Sequence, residues 1–159
     1  MTPGRMLVLA IALVAGCGAP SHALPAVPSP PPRLAAVSQD GVRVLVPGDW
    51  PRNRLRCGTP VADTVVVDPG PIPACMVTNP PLVSYAWLRT SGDLRIDREA
   101  TLATQPVTVS GHGARRGRDR LPDGRTRVVL VVVDRQVVVV AVSSRPDLAL
   151  QIIDSASVV

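Results

Sequence analysis

The sequence predicts an α+β fold: an antiparallel sheet with a C-terminal helix packed on it, closed by one disulfide. Three observations predict it. Valine-rich runs dominate the second half of the chain, and a branched Cβ suits a pleated strand better than a helix turn. Residues 144–159 carry an apolar stripe at helical spacing. Cys57 and Cys75 form a pair once the third cysteine, Cys17, is assigned to an N-terminal leader.

The 159 residues hold one ordinary domain beside that leader. The chain is 46% apolar but only 2% aromatic, with no Phe, so Val, Leu, Ile and Ala must build the core. The net charge is +5 and every cation is Arg. Codon usage in a GC-rich genome accounts for this. A guanidinium surface for phosphate or carboxylate partners is the functional alternative.

The leader reads in three parts. Arg5 precedes an apolar run from Met6 to Val14, and Val14-Ala15-Gly16-Cys17 follows. The run is too short to span a bilayer, which needs about 20 residues, and it reads as a signal h-region. Its end is similar to the lipobox of bacterial lipoproteins. That resemblance implies that residues 1–16 are a signal peptide and that Cys17 carries the lipid, a thioether diacylglycerol with an added acyl chain such as palmitate. Two or more chains hold a protein on a membrane stably where one holds marginally. An ordinary cleaved signal with an incidental Cys is the alternative. Residues 17–33 then form a Pro-rich spacer of extended polyproline type, with His22 in it. Residues 34–159 form the globular domain, placed outside the cytoplasm on the cell membrane.

Cys57 and Cys75 are expected to bond, because disulfides persist outside the cytoplasm. A redox pair would favour Cys-x-x-Cys, and zinc would need about four ligands. The first strand expected in the domain is Val42–Val46, after the turn signal Asp40-Gly41. Thr64–Val67, Val83–Arg89 and Val107–Ser110 follow, the last stopped by Gly111-His112-Gly113. Val128–Val133 and Val137–Val142 make a hairpin around Asp134-Arg135-Gln136. Neither run alternates, so both faces of that sheet should be covered. One cover is the C-terminal helix, with Ser144-Arg145-Pro146-Asp147 as a capping box. A short helix around Asp97–Thr104 is the second.

The strand ending VPGDW, the TVSGHGARR segment, the Arg-rich turn, the Val-rich hairpin and the closing LALQIIDSASVV resemble small actinobacterial lipoproteins. More loosely, they resemble the PsbP-like α/β/α sandwich. Pro47, Trp50 and residues 148–155 carry that likeness. It implies a final helix over the sheet and an accessory or binding role, with no catalytic residues to transfer.

No convergent acid/base set can be assembled, so no catalytic residue, metal ligand or cofactor is assigned. His112 reads as a turn histidine. Asp93, Asp97 and Glu99, interleaved with Arg95 and Arg98, read as a solvated ion-paired surface. The best binding candidate is the set Arg115, Arg116, Arg118, Arg120, Arg125 and Arg127, flanking the turn Leu121-Pro122-Asp123-Gly124. It would suit an anionic envelope component, although an ordinary polar hairpin is the blander reading. Nucleic acid is disfavoured, for want of aromatic residues on which bases stack. The sequence therefore points to a lipid-anchored binding or accessory module. The alternatives are an envelope hydrolase with an unrecognised site and a structural subunit of an envelope complex. An apolar patch around Trp50, Tyr85 or Trp87 would favour the last.

Overall fold

A computed structural model of the chain describes residues 33–159, which fall within one compact unit. Cys17, His22 and the leader lie outside the described residues.

Strands β1 (Leu34–Gln39) and β2 (Val42–Pro47) form a hairpin around Asp40-Gly41. Both turn residues have positive φ, 46° and 79°. A two-residue type I′ turn demands this, and Asp-Gly supplies it with little strain. A two-residue hairpin, β3 (Leu55–Arg56) and β4 (Thr59–Pro60), turns at Cys57-Gly58.

The main sheet contains β5 (Thr64–Val67), β6 (Tyr85–Thr90), β7 (Gln105–Val109), β8 (His112–Arg120), β9 (Thr126–Val132) and β10 (Val137–Ser143). Its order is β5-β6-β10-β9-β8-β7. All pairs are antiparallel except β5 with β6. The sheet is therefore mixed, where an antiparallel one was expected. Parallel neighbours need a long crossover, and residues 68–84, which contain Cys75, provide it. Helix α1 (Pro146–Asp154) follows, and the short β11 (Ser157–Val158) returns to pair with β2.

The two valine runs bury both faces, as their lack of alternation demands. Val128, Leu130, Val132, Val137, Val139 and Ala141 face one cluster, shared with α1 and β2. Val129, Val131, Val138, Val140 and Val142 face a second, covered by Ala100 and Ala103. Leu148, Ala149, Ile152 and Ile153 are the buried stripe of α1.

Several local expectations are corrected. Arg145, not Ser144, caps α1, and its side chain makes no capping bond. Ser143 instead accepts a bond from the Arg145 amide at 3.0 Å. The helix expected over Asp97–Thr104 shrinks to a 3₁₀ turn, Ala100–Leu102. One face of the main sheet thus carries an α-helix and the other a 3₁₀ segment, rather than the two helical layers of an α/β/α sandwich. His112 is not in a turn. The turn is Ser110-Gly111, with φ of 49° and 82°, and His112 opens β8.

The sheet's edges are managed differently. Asn53, at φ 54°, lies along β5. Its amide group donates to the Val67 carbonyl and accepts from the Val67 N–H, both at 2.9 Å, in the manner of a paired strand. At the far edge β7 carries Pro106, which cannot donate to another strand.

Candidate functional site

The six arginines do not converge. Alternation along β8 sends Arg116, Arg118 and Arg120 toward the α1 side and Arg115 toward the other. Arg127, on β9, is bound to Asp119 at 2.9 and 2.5 Å. Arg125 is held by Asp123 and also donates to the Val83 carbonyl at 2.6 Å. Arg116 reaches Asp154 at the end of α1, at 2.8 Å. Arg118 and Arg120 remain exposed on one face. Asp119 and Asp123 are both held below their ordinary pKa by their arginine partners. The hairpin turn at 121–124 lies where the sequence placed it.

Two of the acidic residues, Asp97 and Glu99, form a structural clamp, while Asp93 pairs with the exposed Arg95 at 3.3 Å. Arg89, on β6, binds Asp97 through both of its terminal nitrogens, one contact at 2.8 Å, and Glu99 at 2.7 Å. Asp97 Oδ1 also accepts the amides of Glu99 and Ala100, each at 3.0 Å. Its side chain is only 7% exposed. The Arg89 bond holds its carboxyl far below the usual carboxylate range, against the opposing effect of burial. A depressed carboxylate stabilises the fold above its unfolded pKa, about 3.9, and that contribution fades as pH falls toward the folded value. Urea midpoints measured downward from pH 5 should therefore drop below about pH 4. Asp97→Asn should be less stable at pH 7 and show a flatter acid limb.

His112 and Asp134 come together, Nδ1 to Oδ2 at 2.5 Å, where the Val133 amide bonds the Gly113 carbonyl. Asp134 is half exposed and is held below its ordinary pKa by His112. The nearby Ser110 hydroxyl accepts the Val158 amide at 3.1 Å, an edge-pairing role.

Trp50, Tyr85 and Trp87 are half-buried and pack on the two core clusters. Trp50 also forms one wall of a cleft of about 710 Å³ at the start of α1. The strand-ending turn after Pro47 sets it there, with its amide bonded to the Pro47 carbonyl at 3.1 Å. Asp49, Asp63, Arg145, Asp147 and Gln151 supply the polar walls. One Asp63 oxygen already accepts the Ser84 amide at 2.7 Å. This volume lies in the range of ordinary small-ligand clefts. The cleft is not legible in the sequence, because its walls come from four distant segments: Leu34, the stretch from Pro47 to Trp50, Asp63 and the start of α1. The Pro47–Trp50 unit was the one available signal.

Cys57 and Cys75 are bonded, with Cα atoms 5.0 Å apart. Beside the bond lies a cleft of about 510 Å³, lined by Leu55, Arg56, Ile72 and Met76 among others. Among the described residues no helix is long and apolar enough to cross a membrane. Comparison with protein-family models, with curated proteins and with solved structures finds no match.

Proposed function

We propose that the protein is a lipid-anchored, extracytoplasmic binding or accessory module that acts without catalysis. The cleft beside Trp50 is the single observation that carries the binding part of this reading. The lipobox at Val14–Cys17 and the Pro-rich spacer support the anchored part. Three carboxylates against one guanidinium disfavour an anion in the cleft. An indole wall beside carboxylate and amide acceptors suits a neutral, hydroxyl-bearing ligand with one apolar face, such as a sugar unit.

The test uses the mature chain and immobilised neutral glycan fragments prepared from a bacterial envelope. The wild-type protein should be retained. Trp50→Ala and, independently, Asp147→Asn should each weaken retention about tenfold, which is 1.4 kcal/mol. Asp147 is exposed, so its variant keeps the fold. Equal retention of all three proteins, or none, overturns the assignment of the cleft.

A further inference from the structure

The disulfide ties together two segments of opposite character. On the Cys75 side, no charged residue occurs between Asp68 and Arg89. This crossover presents Met76 at 87%, Leu82 at 65% and Ile72 at 43% exposure. Isolated exposed apolar side chains are ordinary, but Ile72 and Met76 line one cleft and share an uncharged segment with Leu82. Five prolines (Pro69, Pro71, Pro73, Pro80 and Pro81) restrict the backbone freedom of the segment. On the Cys57 side, Arg52, Arg54 and Arg56 are all exposed. Arg56 lines the same cleft as Ile72 and Met76.

We infer that this disulfide-pinned loop is a second membrane contact. Ile72, Met76 and Leu82 enter the bilayer interface, and Arg52, Arg54 and Arg56 meet anionic headgroups. Apolar burial with electrostatic attraction is the general logic of interfacial binding. Each basic side chain near an anionic surface adds to it. The occupant follows from charge and from tether length. Asp49 lies before the three arginines and Asp63 and Asp68 lie before the apolar segment, so the arginines stand across the disulfide from a segment that carries no carboxylate of its own. The inference rests on the anchored reading above in one respect. In the polyproline form its sequence leads one to expect, a 17-residue spacer would reach about 50 Å at 3.1 Å per residue. It therefore holds the domain near the bilayer at high effective concentration, where a weak contact suffices.

The experiment removes the acyl anchor, so that failure here leaves the Cys17 reading intact. The mature chain carrying Cys17→Ser is sedimented with phosphatidylcholine vesicles, with or without phosphatidylglycerol. Binding is expected only with phosphatidylglycerol, and it should fall as salt rises. Met76→Asp with Leu82→Asp should lower the bound fraction at least tenfold, as should Arg54→Glu with Arg56→Glu. All four positions are exposed, and an unchanged melting temperature confirms that the variants fold. Met76→Trp should shift its emission to the blue on vesicles containing phosphatidylglycerol. Failure to bind these vesicles, equal binding to both kinds, or full retention by the double-aspartate variant overturns the inference. So does an unshifted Met76→Trp spectrum, which would leave the loop facing a protein partner.

Discussion

Gly117→Ala should destabilise the protein by about 3 kcal/mol, the upper part of the range for overpacking. Alanine ordinarily improves on glycine inside a strand, so the sign of the effect is informative. Gly117 lies in β8 directly beneath the 3₁₀ segment. A Cβ built there would overlap the carbonyl of Leu102 and come within 2.9 Å of the Ala103 nitrogen. These are backbone atoms and cannot rotate aside. The 3₁₀ segment would have to lift, uncovering Ala100, Ala103 and the valine face beneath them. Gly113 is the control. It sits in the same strand, with nothing within 4 Å of its would-be Cβ. Gly113→Ala should be neutral or slightly stabilising. Thermal melts of the two variants check the contrast. Gly117→Ala should lose roughly 10 °C and Gly113→Ala should stay within about 2 °C of the parent.

Loss of the Cys57–Cys75 bond should cost about as much. The bond closes a loop of 19 residues, for a sequence separation of 18. The chain-entropy account of cross-linking assigns such a loop about 3 kcal/mol. The structure adds a local consequence. The closed loop contains β5, an edge strand held by β6 on one side and by residues 51–54 on the other. The double variant Cys57→Ser, Cys75→Ser should therefore lose hydrogen-exchange protection first at Val65 and Val67. Amides in the β9–β10 hairpin should stay protected until global unfolding. A urea midpoint unchanged by the double substitution would contradict this account.

These two sites differ in how far the sequence announced them. The disulfide followed from counting: with one cysteine assigned to the expected lipobox, two remained. The hairpin of β9 and β10 was equally legible, because unbroken valine runs around Asp134-Arg135-Gln136 leave few alternatives. Gly117 gave no signal. It stands in Arg-Arg-Gly-Arg-Asp-Arg, where charge dominates the pattern, and its meaning comes from Leu102, fifteen residues earlier in the chain. For the same reason β8 shows little apolar periodicity. Only Ala114 along it is fully buried, and ion pairs satisfy much of the rest. Strand β1 hid because Val37 is its one buried residue. Strand β11 is two residues long and forms because β2 offers an edge.

The candidate site was less legible than the fold. The arginines were visible as a run, but strand alternation divides them and Asp119, Asp123 and Asp154 occupy three. The acidic group is ion-paired as its mixed charges suggest, but only Asp93 pairs with an arginine beside it, Arg95, while Asp97 and Glu99 pair with Arg89 on β6, and the Asp97 side chain is buried rather than solvated. The Trp50 cleft needs the start of β1, the end of β2, the loop before β5 and the start of α1 side by side. No local pattern encodes that meeting.

Everything proposed about where the protein works depends on the leader, so the most direct measurement is of the mature N-terminus. Intact-mass and peptide analysis of protein extracted from its native membrane should find a chain that begins at Cys17. That cysteine should carry the mass of a diacylglyceryl group, and Cys57 and Cys75 should be recovered as a linked peptide pair. A mature chain that begins elsewhere, or an unmodified Cys17 thiol, would contradict the account.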